Sequence, residues 1–261
     1  MKTLLLLLLI LAPGMLLAEQ AEIKMLIAPD KLGEAKTTLD IKASEAPEVR
    51  VCFFDTAEAA LNEKKLILRV RLEEKANQAG KKDVDAVVKL RGTKTAPDGW
   101  EELKPEEDWV GPDAAKDVKP SFSIKEEGLD EARMRKVMDG ALAVKEVLSD
   151  QQREFCAACL GWKRKAFPWP DLKRYGVIEV WKSKRDWGAF KKVTVELWRL
   201  AKDGKEPMEL LEISVKTKEG DAKPAAEVAR EFYAAAAQAG LGKATGESKT
   251  QKVIDYFKPG R

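Results

Sequence analysis

The chain has 261 residues, 44% of them hydrophobic and 35% charged, and its 47 basic and 44 acidic residues leave a net charge of only +3. That composition supports a buried core, and the near-balance of charge gives no reason to expect nucleic acid as a partner. Histidine is absent, which excludes histidine-dependent nucleophilic triads, histidine general bases and the commoner zinc sites.

The first element is a targeting segment. Met1-Lys2 supplies a positive charge, Leu4 to Leu11 is apolar throughout, and Pro13-Gly14 breaks the run before Leu16-Leu17-Ala18. This is the layout of a signal peptide over residues 1–18. A spanning helix needs about 20 apolar residues, so the run favours a cleaved signal over a retained anchor. The sequence predicts cleavage after Ala18, export to the periplasm or the medium, and no stable membrane span in the mature protein.

From Glu19 to Lys216, short β-branched runs alternate with Gly, Pro, Asn and Asp clusters suited to turns. In chain order, strands are expected at 20–27 and 48–55, a short helix at 57–61, strands at 65–73 and 84–91, and then a Pro-punctuated excursion over 96–120. A strand at 119–126 precedes a helical insertion around 129–160, with one long helix from Asp130 to Leu148 continuing beyond Gln152. Cys156 and Cys159 fall in that helical stretch and Cys52 in the second strand. An exported protein can pair two of them or keep them buried as thiols. Strands at 174–182, 192–200 and 209–217 follow, then an alanine-rich helix from Pro224 to Ala239. The expected fold class is α+β, an eight-stranded antiparallel β-barrel with flanking helices, forming one domain over 19–261.

Side chains alternate across a strand, so charges two apart share a face. Glu22 and Lys24 oppose Ile23 and Met25, Arg69 and Arg71 oppose Leu68 and Val70, and Lys89 and Arg91 oppose Val88 and Leu90. Lys125 opposes Ile124, while Glu212, Ser214 and Lys216 alternate with Leu211, Ile213 and Val215. Two arrangements fit this pattern. Either the charges face water on a one-sided sheet, or the sheet closes with them inward and makes a basic tunnel suited to polyphosphate oxygens. The register between 174 and 200 leaves the direction of Glu179, Lys182 and Arg185 open.

Gln20-Ala21-Glu22-Ile23-Lys24 resembles the opening Glu-x-Glu-x-Lys strand of the CYTH family, the triphosphate tunnel metalloenzymes. Phe53-Phe54-Asp55-Thr56 with Ala60-Leu61, the basic Leu68-Arg69-Val70-Arg71 and Val88-Lys89-Leu90-Arg91 resemble the motifs that follow. Glu212-Ile213-Ser214-Val215-Lys216, the helix after Pro224 and Ser248-Lys249 are similar to the family's closing acidic strand, helix and Ser-Lys motif. The resemblance implies a tunnel in which Lys24, Arg69, Arg71, Lys89, Arg91, Lys125, Lys216 and Lys249 hold a triphosphate or polyphosphate. It also implies Glu22, Glu196 and Glu212 as catalytic carboxylates that bind Mg²⁺ or Mn²⁺. Gln20 and Ser214 stand where that pattern has carboxylates.

The resulting expectation is an exported, metal-dependent phosphohydrolase acting on inorganic triphosphate or short polyphosphate. The alternative on the same scaffold is a non-catalytic polyphosphate-binding module, and a structural envelope protein with solvated charges is a third reading. Adenylyl cyclase chemistry fits poorly with export, since ATP is scarce outside the cytoplasm.

Overall fold

The computed structural model describes residues 20–41, 49–73, 83–163, 167–218, 220–243, 245–246 and 248–258. Residues 1–18, where the sequence predicts a signal peptide, lie outside them. Nine strands form a closed barrel: β1 (Gln20–Leu26), β2 (Val49–Asp55), β3 (Leu66–Glu73), β4 (Val84–Arg91), β5 (Glu106–Trp109), β6 (Val118–Glu127), β7 (Lys173–Trp187), β8 (Phe190–Leu200) and β9 (Met208–Lys218). Their order around the barrel is β1-β5-β6-β4-β3-β2-β7-β8-β9, and β9 pairs back onto β1.

Eight of these strands are the expected ones; the ninth corrects the architecture. β5 lies inside the 96–120 excursion and pairs parallel to β1, with Glu22 opposite Asp108, and antiparallel to β6. The barrel is therefore mixed and nine-stranded, not eight-stranded and antiparallel. Glu106-Glu107-Asp108-Trp109 gives little β signal, because acidic residues are poor strand formers. Tertiary pairing makes the strand: β5 fills the gap between β1 and β6. The Tyr233 hydroxyl bridges the Lys24 carbonyl at 2.6 Å and the Trp109 carbonyl at 3.1 Å, tying the parallel pair together from outside.

The apolar faces of the strands point outward and are covered by helices. Ile23, Met25, Leu211 and Ile213 pack with Ala229, Phe232 and Ala236 of α5 (Ala225–Gln238) and Ala35 of α1 (Leu32–Thr38). Around the barrel, Leu68, Val70, Val88 and Ile124 pack with Met134 and Val137 of α3 (Glu131–Asp139) and Phe155 of α4 (Asp150–Cys159). Each fully buried Leu, Ile or Phe contributes roughly 1.5–3 kcal/mol, so these two clusters drive closure with the charges inward.

The helix expected from Asp130 onward is broken. Gly140, at φ 82°, ends α3 in the left-handed conformation that glycine adopts without strain. A fresh start follows at Ser149, whose hydroxyl and Gln152 form a capping box for α4. Gln152 is fully buried and its amide donates to the carbonyls of Ala86 (2.8 Å) and Ile124 (3.3 Å), fixing α4 to β4 and β6. The short helix after Asp55 is α2 (Ala60–Glu63), three residues later than expected. Its start is held by the Asp55 carboxylate, which accepts from the backbone N–H of Leu61 and Asn62 at 2.8 Å each. All three cysteines are free thiols.

One end of the barrel is closed by α6 (Lys249–Phe257). Its Val253, Ile254, Tyr256 and Phe257 join Leu26, Val51, Phe53, Ile67 and Trp198 in one apolar cluster. Gly176 of β7 makes room for it: a Cβ there would lie 2.2 Å from the Phe257 ring. Among the described residues, no helix is long and apolar enough to cross a membrane.

Candidate functional site: a charged tunnel

The barrel encloses a cavity of about 870 Å³. Every residue singled out in the sequence lines it: Lys24, Arg69, Arg71, Lys89, Arg91, Lys125, Lys216 and Lys249 among the cations, and Glu22, Glu196 and Glu212 among the carboxylates. The inward arrangement of the charged faces is thus the one adopted, since the apolar residues that alternate with them are taken up outside by the helices. Of the three residues left open, Lys182 lines the cavity, with Glu73 at 2.9 Å, whereas Glu179 is exposed and Arg185 turns to the Ser183 hydroxyl and the Leu39 carbonyl.

Six of these cations gather around two buried aspartates that carry no place in the sequence-based expectation. Asp108 of β5, with its side chain 6% exposed, has Lys24 at 2.7 Å, Lys89 at 3.5 Å and Arg91 at 3.5 Å. Burial pushes the Asp108 carboxyl up, but these three cations hold it far below the usual carboxylate range. Partial burial of Lys24 opposes its charge, but Asp108 and Glu22 together raise it well above an ordinary lysine. On the next strands, Arg71 Nε donates to Asp85 at 2.7 Å, with Arg69 at 3.8 Å and Lys125 at 3.9 Å from the same carboxylate. Asp85 alternates with Val87, Lys89 and Arg91 on β4, so the pattern that found the cations also predicts this one. Asp108 had no such signal.

Some polar capacity in the lumen is unused. Among the described residues, the buried Arg69 Nε and Arg91 Nε have no hydrogen-bond partner, although Arg91 Nε faces the Asp108 carboxylate at 3.5 Å. Such atoms are uncommon in folded proteins and each invites a ligand or water. Burial depresses Arg69 despite the nearby Asp85, a cost that a bound anion would offset.

The carboxylates divide into two places. Glu196 and Glu212 are cross-strand partners on β8 and β9. Glu22 instead pairs with Lys216, four residues along β9 from Glu212, which is roughly 13 Å at about 3.3 Å per residue. Glu22 is 3.0 Å from Lys24 and accepts a 3.2 Å hydrogen bond from Ser214, one of the two positions where a carboxylate is missing. Burial raises Glu22, but Lys24 and Lys216 bring it below the usual range.

At the other place, the Lys249 ammonium lies between Glu196 and Glu212, 2.8 Å from Glu212 and hydrogen-bonded to Glu196. It also sits 4.1 Å above the Trp198 ring, whose Nε1 donates to Glu196 at 3.0 Å. Burial raises Glu196, yet Lys249 prevails and holds it down to about 2. Among the described residues, no three Asp, Glu or Cys form a group able to hold a metal ion. As arranged, the tunnel does not fit a divalent metal on Glu22, Glu196 and Glu212 together.

Architecture and lumen define a class: a closed β-barrel with a basic, solvent-reachable interior and a C-terminal helix at one end. A putatively named adenylyl cyclase from Hippeastrum, described as having a dominant triphosphatase activity, has this fold; it is 16% identical, with 90% of this chain and 95% of that one covered and a TM-score of 0.55. An adenylate cyclase candidate from Bacillus halodurans is 14% identical over 90% of this chain and 98% of that one, with a TM-score of 0.49. A Pyrococcus horikoshii protein is 15% identical over 91% and 99%, with a TM-score of 0.45. At these identities the likeness is one of fold, carried by the Hippeastrum structure. No family model matches the sequence, and no curated protein does.

Proposed function

We propose that the barrel binds a linear polyphosphate, with inorganic triphosphate as the smallest ligand of that class, in an exported protein. The observation that carries this reading is the convergence of Lys24, Arg69, Arg71, Lys89, Arg91 and Lys249 from opposite walls onto one cavity. Arginine forks offer paired hydrogen bonds to phosphate oxygens and lysines add point charges. Asp85 and Asp108 offset part of the positive charge of that wall. A phosphate chain entering the lumen would share those cations and supply acceptors for Arg69 Nε and Arg91 Nε.

The second reading is hydrolysis of the bound triphosphate with Mg²⁺ or Mn²⁺, favoured by the activity described for the Hippeastrum protein. It requires a rearrangement of the carboxylates, because Glu196 and Glu212 are engaged with Lys249. Incubating the protein with triphosphate, with and without each metal, while measuring both binding and phosphate release separates the two. Binding without release supports the first reading; metal-dependent release supports the second; neither would refute both.

A further inference from the structure

Lys24, Lys89 and Arg91 share one aspartate, Asp108, and Lys24 and Lys89 each reach a second carboxylate, Glu22 and Glu106. Among the described residues, Lys249 instead stands between two glutamates, facing each other across β8 and β9, that form ion pairs with it alone. Two carboxylates converging on one point, with room for phosphate oxygens nearby, are what Mg²⁺ commonly takes from a protein. Here an ammonium stands at that point, 11% exposed, with an indole face on one side. It is delivered by a fixed element. Arg91 donates to the Ser248 hydroxyl at 3.1 Å and the Thr250 hydroxyl at 3.3 Å, tying the first turn of α6 to β4. Phe257 is seated against Gly176 at the far end of the same helix.

We propose that Lys249 is a built-in cation that occupies the seat a divalent metal would take between Glu196 and Glu212, so that the tunnel holds its polyphosphate without a metal ion. The inference rests on the polyphosphate-binding reading for its ligand, but not for its metal seat. A dication entering beside the ammonium would be repelled at short range in a poorly screened site, so the two exclude each other. Ser214, two residues from Glu212 on β9, brings no charge to the seat and donates its hydrogen bond to Glu22 instead.

The test is uptake of Mn²⁺, followed by the loss of the free-ion electron paramagnetic resonance signal, with no triphosphate present. The full wild-type chain should bind no Mn²⁺ up to about 1 mM, whereas Lys249→Gln should bind one ion per chain at least about tenfold more tightly, as expected for a freed carboxylate pair. Lys249→Gln combined with Glu212→Gln should lose that ion again, and Lys249→Arg should behave as the wild type. Calorimetry in EDTA supplies the second arm: wild-type affinity for triphosphate should not require a metal, and Lys249→Gln should weaken it. Tight Mn²⁺ uptake by the wild type that Glu212→Gln removes would overturn the proposal, as would no gain in a folded Lys249→Gln variant. If Lys249→Gln does not fold, as judged by circular dichroism, the wild-type and Glu212→Gln arms still decide. The expected Mn²⁺ pattern with no triphosphate binding in any condition would count against the polyphosphate reading and leave the metal seat assigned to Lys249.

Discussion

The ammonium of Lys24 and the carboxylate of Asp108 stand 2.7 Å apart, joining the first strand of the barrel to the short parallel strand beside it. Asp108 also faces Lys89 and Arg91, so one buried carboxylate neutralises cations from two strands. A ligand anion must compete with it or share its partners.

Asp108→Asn should therefore separate stability from affinity. Removing the charge leaves Arg91 without its carboxylate and Lys24 and Lys89 with only Glu22 and Glu106, and should lower stability by about 3–5 kcal/mol, the usual cost of breaking a buried pair. Triphosphate affinity should rise by about 1–3 kcal/mol, because a repulsive charge a few ångströms away is gone. Thermal unfolding and calorimetry read the two effects; weaker binding in a folded variant would contradict this role for Asp108.

Arg69 and Arg71 sit on the same face of β3 but should respond differently to truncation. Arg71 is hydrogen-bonded to Asp85, which is 2% exposed, so Arg71→Ala should cost about 3–5 kcal/mol of stability. Arg69 is 3.8 Å from that carboxylate and has an unpartnered Nε. Arg69→Ala should weaken triphosphate binding by about 1.5–3 kcal/mol, the range for a hydrogen bond to a charged group, with a smaller loss of stability. Equal effects of the two on binding and on unfolding would remove the distinction.

The Glu196–Lys249 pair sets a pH window. Glu196 titrates at about 2 in the folded protein, against about 4.3 in an unfolded chain. Its contribution is present above the unfolded value and is lost as pH falls toward the folded one. Lys249 is shifted the other way: burial opposes its charge, but Glu196 and Glu212 raise it above the ordinary lysine value. Its contribution is thus fully present below the unfolded value of about 10.4 and lost as pH rises from there through the folded value. The stability gap between wild type and Lys249→Gln should be widest between about pH 5 and 10 and narrow as the acid side is approached. Denaturant titrations across that range check it; a gap independent of pH would show that the pair is not formed.

The sequence made the tunnel legible where period-two alternation was strong. Arg69, Arg71, Lys89, Arg91 and Glu212 could be assigned to one face from spacing, and the apolar residues between them to the other. Two features escaped for physical reasons. β5 is a strand only because β1 and β6 flank it, and its acidic residues carry no local preference for that conformation. α6 is nine residues long, and most of its stability comes from docking Val253, Ile254 and Phe257 on the barrel. Lys249 was found through the Ser-Lys resemblance, but its place between Glu196 and Glu212 depends on how α6 docks, which spacing alone does not give.

Export is a separate expectation from residues 1–18. N-terminal mass spectrometry of the protein recovered from its native compartment should find the chain beginning at or near Glu19. An intact Met1 on a cytoplasmic protein would contradict export and reopen nucleotide chemistry as a reading.

Calorimetric titration of inorganic triphosphate into the wild-type protein in EDTA, alongside a Lys89→Ala/Arg91→Ala variant of verified fold, bears most directly on the tunnel as a polyphosphate site. The account predicts one triphosphate per chain with a dissociation constant near or below about 1 μM, equivalent to about 8 kcal/mol, and at least about a hundredfold loss in the variant, as two charge-assisted hydrogen-bond donors are removed. No binding by the wild type, or equal affinity in the two proteins, would contradict it.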